Sequence, residues 1–292
     1  MTHEPTQLLP ASNVPEGDFI QALNAAYADY FVPIHLNSHS FRDLVNQESV
    51  RLDASRAAVI GDEVVGTALL GVRGARGWAG GVGVIPAHRR RGVARALMAS
   101  VIEAGHALGL GSIQLEVITA NKPAHALYDS LGFETIRELL VLTCANNGGT
   151  PPAGQIAPTI RIAAGKPARL LPALAELPAP VRPWQRETTA HEAKLPALRA
   201  LAAYELGGDL AGVCIFRQDS FRQDVLDLAA TSPDAGTALA AHLLRQSPGL
   251  TVTYLNVPEE DPLLPGLREL GFQQVLSQFE MVLPLNAGAV EE

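Results

Sequence analysis

The sequence predicts an α/β protein of two similar halves, each a mixed, twisted sheet flanked by helices. Three observations carry that expectation: a turn-rich central stretch, the same order of strand, turn and helix signals on either side of it, and enough apolar residues for two cores. The central stretch, NNGGTPPAGQIAP (146–158), has no hydrophobic periodicity and reads as a linker. It divides the chain into a first domain at 1–147, a linker at 148–158 and a second domain at 159–292. Hydrophobic residues make up 47% and charged residues 18% of the 292, a balance that favours folded cores over disorder.

Taken in order, GDEVVGTALLGVR (61–73) sets Gly-Asp between apolar runs and predicts a hairpin, as does GGDLAGVCIFR (207–217). Next, each half has a strand-like run that gives way to a helical period, ARALMASVIEAGHALG (94–109) and TALAAHLLRQ (237–246), each following a single glycine. Finally SIQLEVITANKPAHALYDSLGFETI (112–136) and TVTYLNVPEEDPLLPGLRELGFQQV (251–275) each predict a strand, a short helix with proline in its first turn, Leu-Gly-Phe and a closing strand. Gly132 and Gly271 fall where the left-handed conformation ends a helix. Order and spacing repeat, which points to an internal duplication.

A net charge of −8 with 30 acidic against 22 basic residues argues against a nucleic-acid surface and leaves any phosphate site local. The chain shows no signal-peptide pattern at its start and no apolar run of the ~20 residues a bilayer span needs, so neither secretion nor a membrane is expected. Two widely separated cysteines, Cys144 and Cys214, fit a reducing, cytoplasmic setting. No metal site is expected: His191-Glu192 lacks the second histidine of H-E-x-x-H, and no other cluster has ligand spacing.

The chemistry lies in GGVGVIPAHRRRGVARALM (80–98). A strand ends at Pro86, and the turn Arg89-Arg90-Arg91-Gly92-Val93-Ala94 opens a helix, whose free N–H groups and positive dipole end suit an anion with several oxygens. The arginines add fork-shaped donors. No lysine completes a Walker loop, and Gly81-x-Gly83 runs into Pro86 instead of completing a dinucleotide fingerprint. Strand, proline, Arg-x-x-Gly-x-Ala and helix together resemble the acyl-CoA signature of the GNAT (Gcn5-related) N-acetyltransferase superfamily. LEVITANKPAHALYDSLGF (115–133) resembles that family's last strand–helix unit. The resemblance covers roughly residues 8–145.

It implies that Val82, Gly83 and Val84 pair with the pantetheine arm of acetyl-CoA, and that the backbone of Arg90, Arg91, Gly92, Val93, Ala94 and Arg95 holds its pyrophosphate, with Arg89 opening the cofactor-binding signature. It also implies that Tyr128 protonates the departing thiolate. Asn121, seven residues before Tyr128, reads either as a cofactor-binding residue on the same face or as a helix cap. The amine acceptor needs a base. Glu116, twelve residues before Tyr128, stands where ribosomal-protein alanine acetyltransferases of the family carry theirs, with His88 and His125 as alternatives. The entry segment AAYADYFVPIHLNSHSF (25–41) offers Tyr27, Tyr30, His35 and His39 either as an acceptor pocket or as ordinary helix packing.

The second half departs from the pattern. In Ser232-Pro233-Asp234-Ala235-Gly236-Thr237-Ala238 a proline replaces the arginine and an aspartate adds negative charge, while Leu267 stands at the place of Tyr128. It resembles a degenerate GNAT-like domain, as in tandem chains of the family with one working half. The stretch RPWQRETTAHE (182–192) reads as a flap over the first domain, a contact in a homodimer, or a surface loop. The expected activity is acetyl transfer from acetyl-CoA to a primary amine, a small molecule or protein N-terminus, by direct attack in a ternary complex. The alternative is a non-catalytic acyl-CoA-binding or protein-interaction module.

Overall fold

The computed structural model describes residues 5–32, 34–146 and 159–285; the linker expected at 148–158 lies outside them. It is an α/β fold of mixed sheet flanked by helices that divides into two compact units, residues 1–136 with 280–292, and 137–279.

Unit 1 holds β1 (Gln7–Pro10), α1 (Glu16–Ala26), α2 (Ser38–Gln47), β2 (Arg56–Ile60), β3 (Glu63–Arg73), β4 (Arg76–Val84), α3 (Val93–Ala107), β5 (Ser112–Ile118) and α4 (Lys122–Asp129). Its sheet runs β1-β2-β3-β4-β5 and closes on the end of β12 (Gln273–Pro284). Gly61 and Asp62 make the hairpin between β2 and β3, with Gly61 at φ +59° and Ile60 paired to Glu63, because a two-residue turn between twisted strands needs positive φ. The buried side chains include Phe19, Phe41, Leu69, Leu70, Leu97, Met98, Ile113 and Leu115. α1 and α3 both pack on β3 and β4.

Unit 2 holds most of β6 (Glu134–Ala145), then β7 (Ile160–Gly165), α5 (Pro167–Glu176), α6 (Thr188–Glu192), β8 (Arg199–Glu205), β9 (Leu210–Gln218), β10 (Arg222–Ala230), α7 (Pro233–Arg245), β11 (Thr251–Pro258) and α8 (Leu264–Glu269). The sheet order is β6-β11-β10-β9-β8-β7.

The sequence places each closing strand with its own half, 1–147 or 159–292, whereas the compact units divide the chain elsewhere. β6 pairs antiparallel with β11, Ala145 opposite Thr251, and so belongs mainly to unit 2. The end of β12 completes unit 1: Gln114 of β5 donates to Glu280 at 3.3 Å, and the Leu285 N–H donates to the Gly111 carbonyl at 2.9 Å. Apolar alternation specifies which face of a strand is buried but not which neighbour it pairs with.

A second difference concerns α7. The sequence starts this helix after Gly236, but it starts at Pro233, with the Ser232 hydroxyl accepting the Ala235 N–H at 3.3 Å as N-cap. Gly236 lies inside the helix, and its missing side chain makes room for Leu263, which a Cβ there would approach within 2.4 Å.

The segment 182–192 is no surface loop. Trp184, Arg186 and His191 are buried, and Asp227 of β10 receives both Arg182 (2.6 Å) and Arg186 (2.5 and 3.1 Å). Arg186 also donates to the Tyr254 hydroxyl and to the Asn256 carbonyl. The segment is thus built into unit 2, held by a carboxylate whose burial must be matched by charge-assisted hydrogen bonds.

Candidate active site

β4 and β5 run parallel and pair over three residues, Arg76, Gly77 and Trp78 with Ser112, Ile113 and Gln114. Further along β4 lies a cavity of about 830 Å³ within unit 1, lined by Val82, Gly83, Val84, Arg89, Arg90, Gly92, Val93, Ala94, Arg95, Asn121, Tyr128, Tyr27 and Tyr30 among others. A bulge precedes it: the β3–β4 register shifts between Thr67 and Leu69, and Gly81 takes φ +57° while its carbonyl accepts the Thr67 hydroxyl at 2.8 Å. Such a bulge re-aims the strand.

The glycines of β4 serve packing at least as much as ligand approach. A Cβ on Gly80 would meet the Trp78 ring, and one on Gly83 would come within 2.7 Å of the Ala26 methyl. Gly83 therefore lets the end of α1 sit on the strand, and that contact brings Tyr27 to the cavity. The Tyr27 hydroxyl donates to the Val82 carbonyl at 3.1 Å.

The turn after Pro86 has the form of an anion cradle. Arg90 lies at φ +63°, unusual for a residue with a Cβ and costing roughly 1–3 kcal/mol, and Gly92 at φ +81°. Alternating handedness turns successive N–H groups toward one point. The first hydrogen bond of α3 closes from the Ala96 N–H to the Gly92 carbonyl at 3.0 Å, so the N–H groups of Val93, Ala94 and Arg95 are the free donors of a 15-residue helix. Arg95 is braced by the Ser130 hydroxyl at 2.6 Å.

The three arginines divide. The Arg89 guanidinium is committed: it holds Asp29 at 2.6 and 2.7 Å, the Ala26 carbonyl at 3.0 Å and the Val84 carbonyl at 3.0 Å. Its side chain is a brace between the end of α1 and the end of β4, which corrects its expected role as a phosphate fork. Its hydrogen bonds hold the Asp29 carboxyl below the usual carboxylate range. Arg90 is exposed and lines the cavity, whereas Arg91 is exposed and not among the lining residues.

Tyr128, on α4, is 7% exposed and packs on Phe133 with ring centres 5.9 Å apart. Gly132 ends that helix at φ +91°, and the Phe133 N–H donates to the Tyr128 carbonyl at 3.1 Å. Asn121 does cap α4, accepting the Ala124 N–H at 3.3 Å, and it also hydrogen-bonds Tyr30. The cap reading therefore holds, and Asn121 also lines the cavity beside Tyr128. Burial, with Tyr30 nearby, pushes the Tyr128 phenol up. Burial and the neighbouring phenols push Tyr27 up as well. Tyr30 is also raised, by burial against the opposing Asn121 hydrogen bond. All three stay protonated donors at neutral pH.

Glu116 is half-buried on β5 and accepts the Trp78 indole N–H at 2.8 Å; it is not among the lining residues. His35 is exposed and is not among the lining residues. The Asn24 side chain clamps the Leu36 backbone with two 2.8 Å hydrogen bonds, which fixes the chain there. His88 lines the cavity with a buried Nδ1 that has no partner among the described residues. His125 is paired with Asp129 at 3.1 Å. Asp29 and Phe31 are lining residues that sequence reasoning missed; Asp29 is 60 residues from the arginine it serves, and no local pattern signals such a pair.

Residues 20–133 match the sequence profile of the acetyltransferase (GNAT) family. No protein of curated function matches the chain in sequence. Among solved structures, a tandem GNAT protein from the clavulanic acid biosynthesis pathway is 18% identical with TM-score 0.71, over 97% of this chain and 99% of that one. A GCN5-related N-acetyltransferase from Sphaerobacter thermophilus is 15% identical with TM-score 0.70, over 96% and 95%. One from Kribbella flavida is 20% identical with TM-score 0.61, over 98% and 72%. Among the described residues no helix is long and apolar enough to cross a membrane, and none group as a metal site. The profile match places residues 20–133 in the acetyltransferase (GNAT) family, and the fold of the chain is similar to that of a tandem GNAT protein.

Proposed function

We propose that the chain transfers an acetyl group from acetyl-CoA to a primary amine, in the cytoplasm, and that the working site is the cavity of unit 1. The observation that carries this reading is the meeting, in one cavity, of the α3 N-terminus with its Arg90–Gly92 turn and the buried phenol of Tyr128. The backbone from Arg90 to Arg95 would take the pyrophosphate, Val82, Gly83 and Val84 the pantetheine arm, and Tyr27 and Tyr30 the acceptor side. The amine nitrogen attacks the thioester carbonyl, the carbon–sulfur bond breaks, and the thiolate takes the Tyr128 proton. A phenol held protonated by burial remains available as donor throughout the neutral range.

Catalysis is assigned to the half that runs over 1–147, and the half at 159–292 is read as degenerate. In the latter, Pro233 and Asp234 open α7, the Leu263 side chain covers Gly236, and Leu267 is buried. The Asp234 charge and the Leu263 side chain oppose a pyrophosphate at that helix end, and Leu267 carries no proton donor.

Glu116 is the proposed base, acting through a water because it stands outside the lining residues; the Trp78 hydrogen bond fixes its carboxylate. The test is the pH dependence of CoA thiol release with a working amine. Glu116→Gln should lower the rate roughly 10²-fold at neutral pH and recover part of it at alkaline pH, where the amine deprotonates unaided. A wild-type profile in the variant removes Glu116 from the proton path.

A further inference from the structure

The acceptor wall of the cavity is aromatic. Tyr30 stands edge-on to Tyr27, with ring centres 4.8 Å apart and planes at 68°, and edge-on to Phe31 at 5.4 Å and 82°. Tyr30 also reaches Asn121, beside Tyr128. Phe31 lines the cavity yet is 54% exposed, so its ring stands at the rim, where a bound apolar group would cover it.

Charge points the same way. Among the described residues that line the cavity Asp29 is the one acidic side chain, and both of its oxygens are held by Arg89. The other charged lining side chains, Arg90 and Arg95, are cationic. A second ammonium on the acceptor would be desolvated there without a counter-charge, which is costly. A flat apolar body would gain ring contacts and area.

We propose that the acceptor is a monoamine carrying an aromatic body, an arylalkylamine in chemical class, rather than a polyamine or a lysine-rich chain. The inference rests on the acyl-transfer reading for where the acceptor enters, but its test does not need turnover. The full chain, with and without saturating CoA, is titrated calorimetrically with 2-phenylethylamine and with spermidine. Phenylethylamine should bind at least about tenfold more tightly than spermidine, and Phe31→Ala should weaken it about tenfold, the scale of one lost aromatic contact. Phe31 is exposed enough that its replacement leaves the fold intact, which circular dichroism verifies. Equal or tighter binding of spermidine, no binding of either amine, or phenylethylamine binding indifferent to Phe31→Ala overturns the proposal. Failure of CoA itself to bind overturns the acyl-transfer reading instead, and the titrations without CoA still report on the aromatic wall.

Discussion

Tyr128→Phe lowers turnover by roughly 10²–10⁴ while leaving acetyl-CoA affinity close to wild type. The ring sits at 7% exposure against Phe133, and phenylalanine keeps that packing while removing only the hydroxyl. Burial and Tyr30 keep the phenol protonated, so the loss should be flat across the neutral range and visible in kcat. Removing the neighbouring Tyr30 ring by Tyr30→Ala would disturb Phe31 and Asn121 together and is the less clean experiment. A Tyr128→Phe enzyme with full kcat, measured with a genuine acceptor at saturating acetyl-CoA, would return Tyr128 to packing alone.

The second large effect is on stability. Asp227→Ala should cost about 3–5 kcal/mol, the scale of breaking one partner out of a buried ion pair. Asp227 is fully buried and takes Arg182, Arg186 and the Leu228 N–H, so its loss leaves the Arg186 guanidinium buried without its counter-charge. Burial raises the Asp227 carboxyl, but Arg186 and Arg182 outweigh it and hold the group low. Its stabilisation is therefore present at neutral pH and lost only as pH falls below the ordinary aspartate range.

His191 in the same cluster acts earlier. Burial pushes its imidazole from 6.5 down to about 4 against the pull of Asp227. The unfolded chain then binds a proton between those values that the folded chain refuses, and stability falls by roughly 3 kcal/mol from pH 6.5 to 4. Asp261, raised by burial, opposes part of that loss. Denaturant midpoints across pH check both statements. An Asp227→Ala midpoint equal to wild type at pH 7 would mean that the cluster carries no net stability.

What was legible in the sequence was local. The Gly61-Asp62 turn, the left-handed helix ends at Gly132 and Gly271, and the Arg-x-x-Gly-x-Ala opening of α3 each depend on residues within a few positions of one another. The partners of β6 and β12 were not legible, because alternation marks a buried face and leaves the neighbour unspecified. The partners of Arg89 and of Arg186, in the segment 182–192, were not legible for the same reason. Each meets an aspartate at long range, 60 residues away for Asp29 and 41 for Asp227, and only the fold brings those pairs together.

The central claim is that the chain holds one acyl-CoA site and that this site is the cavity of unit 1. Calorimetric titration of the full chain with acetyl-CoA tests it most directly. The account predicts a stoichiometry of one per chain; two equivalent sites, or none, would contradict it.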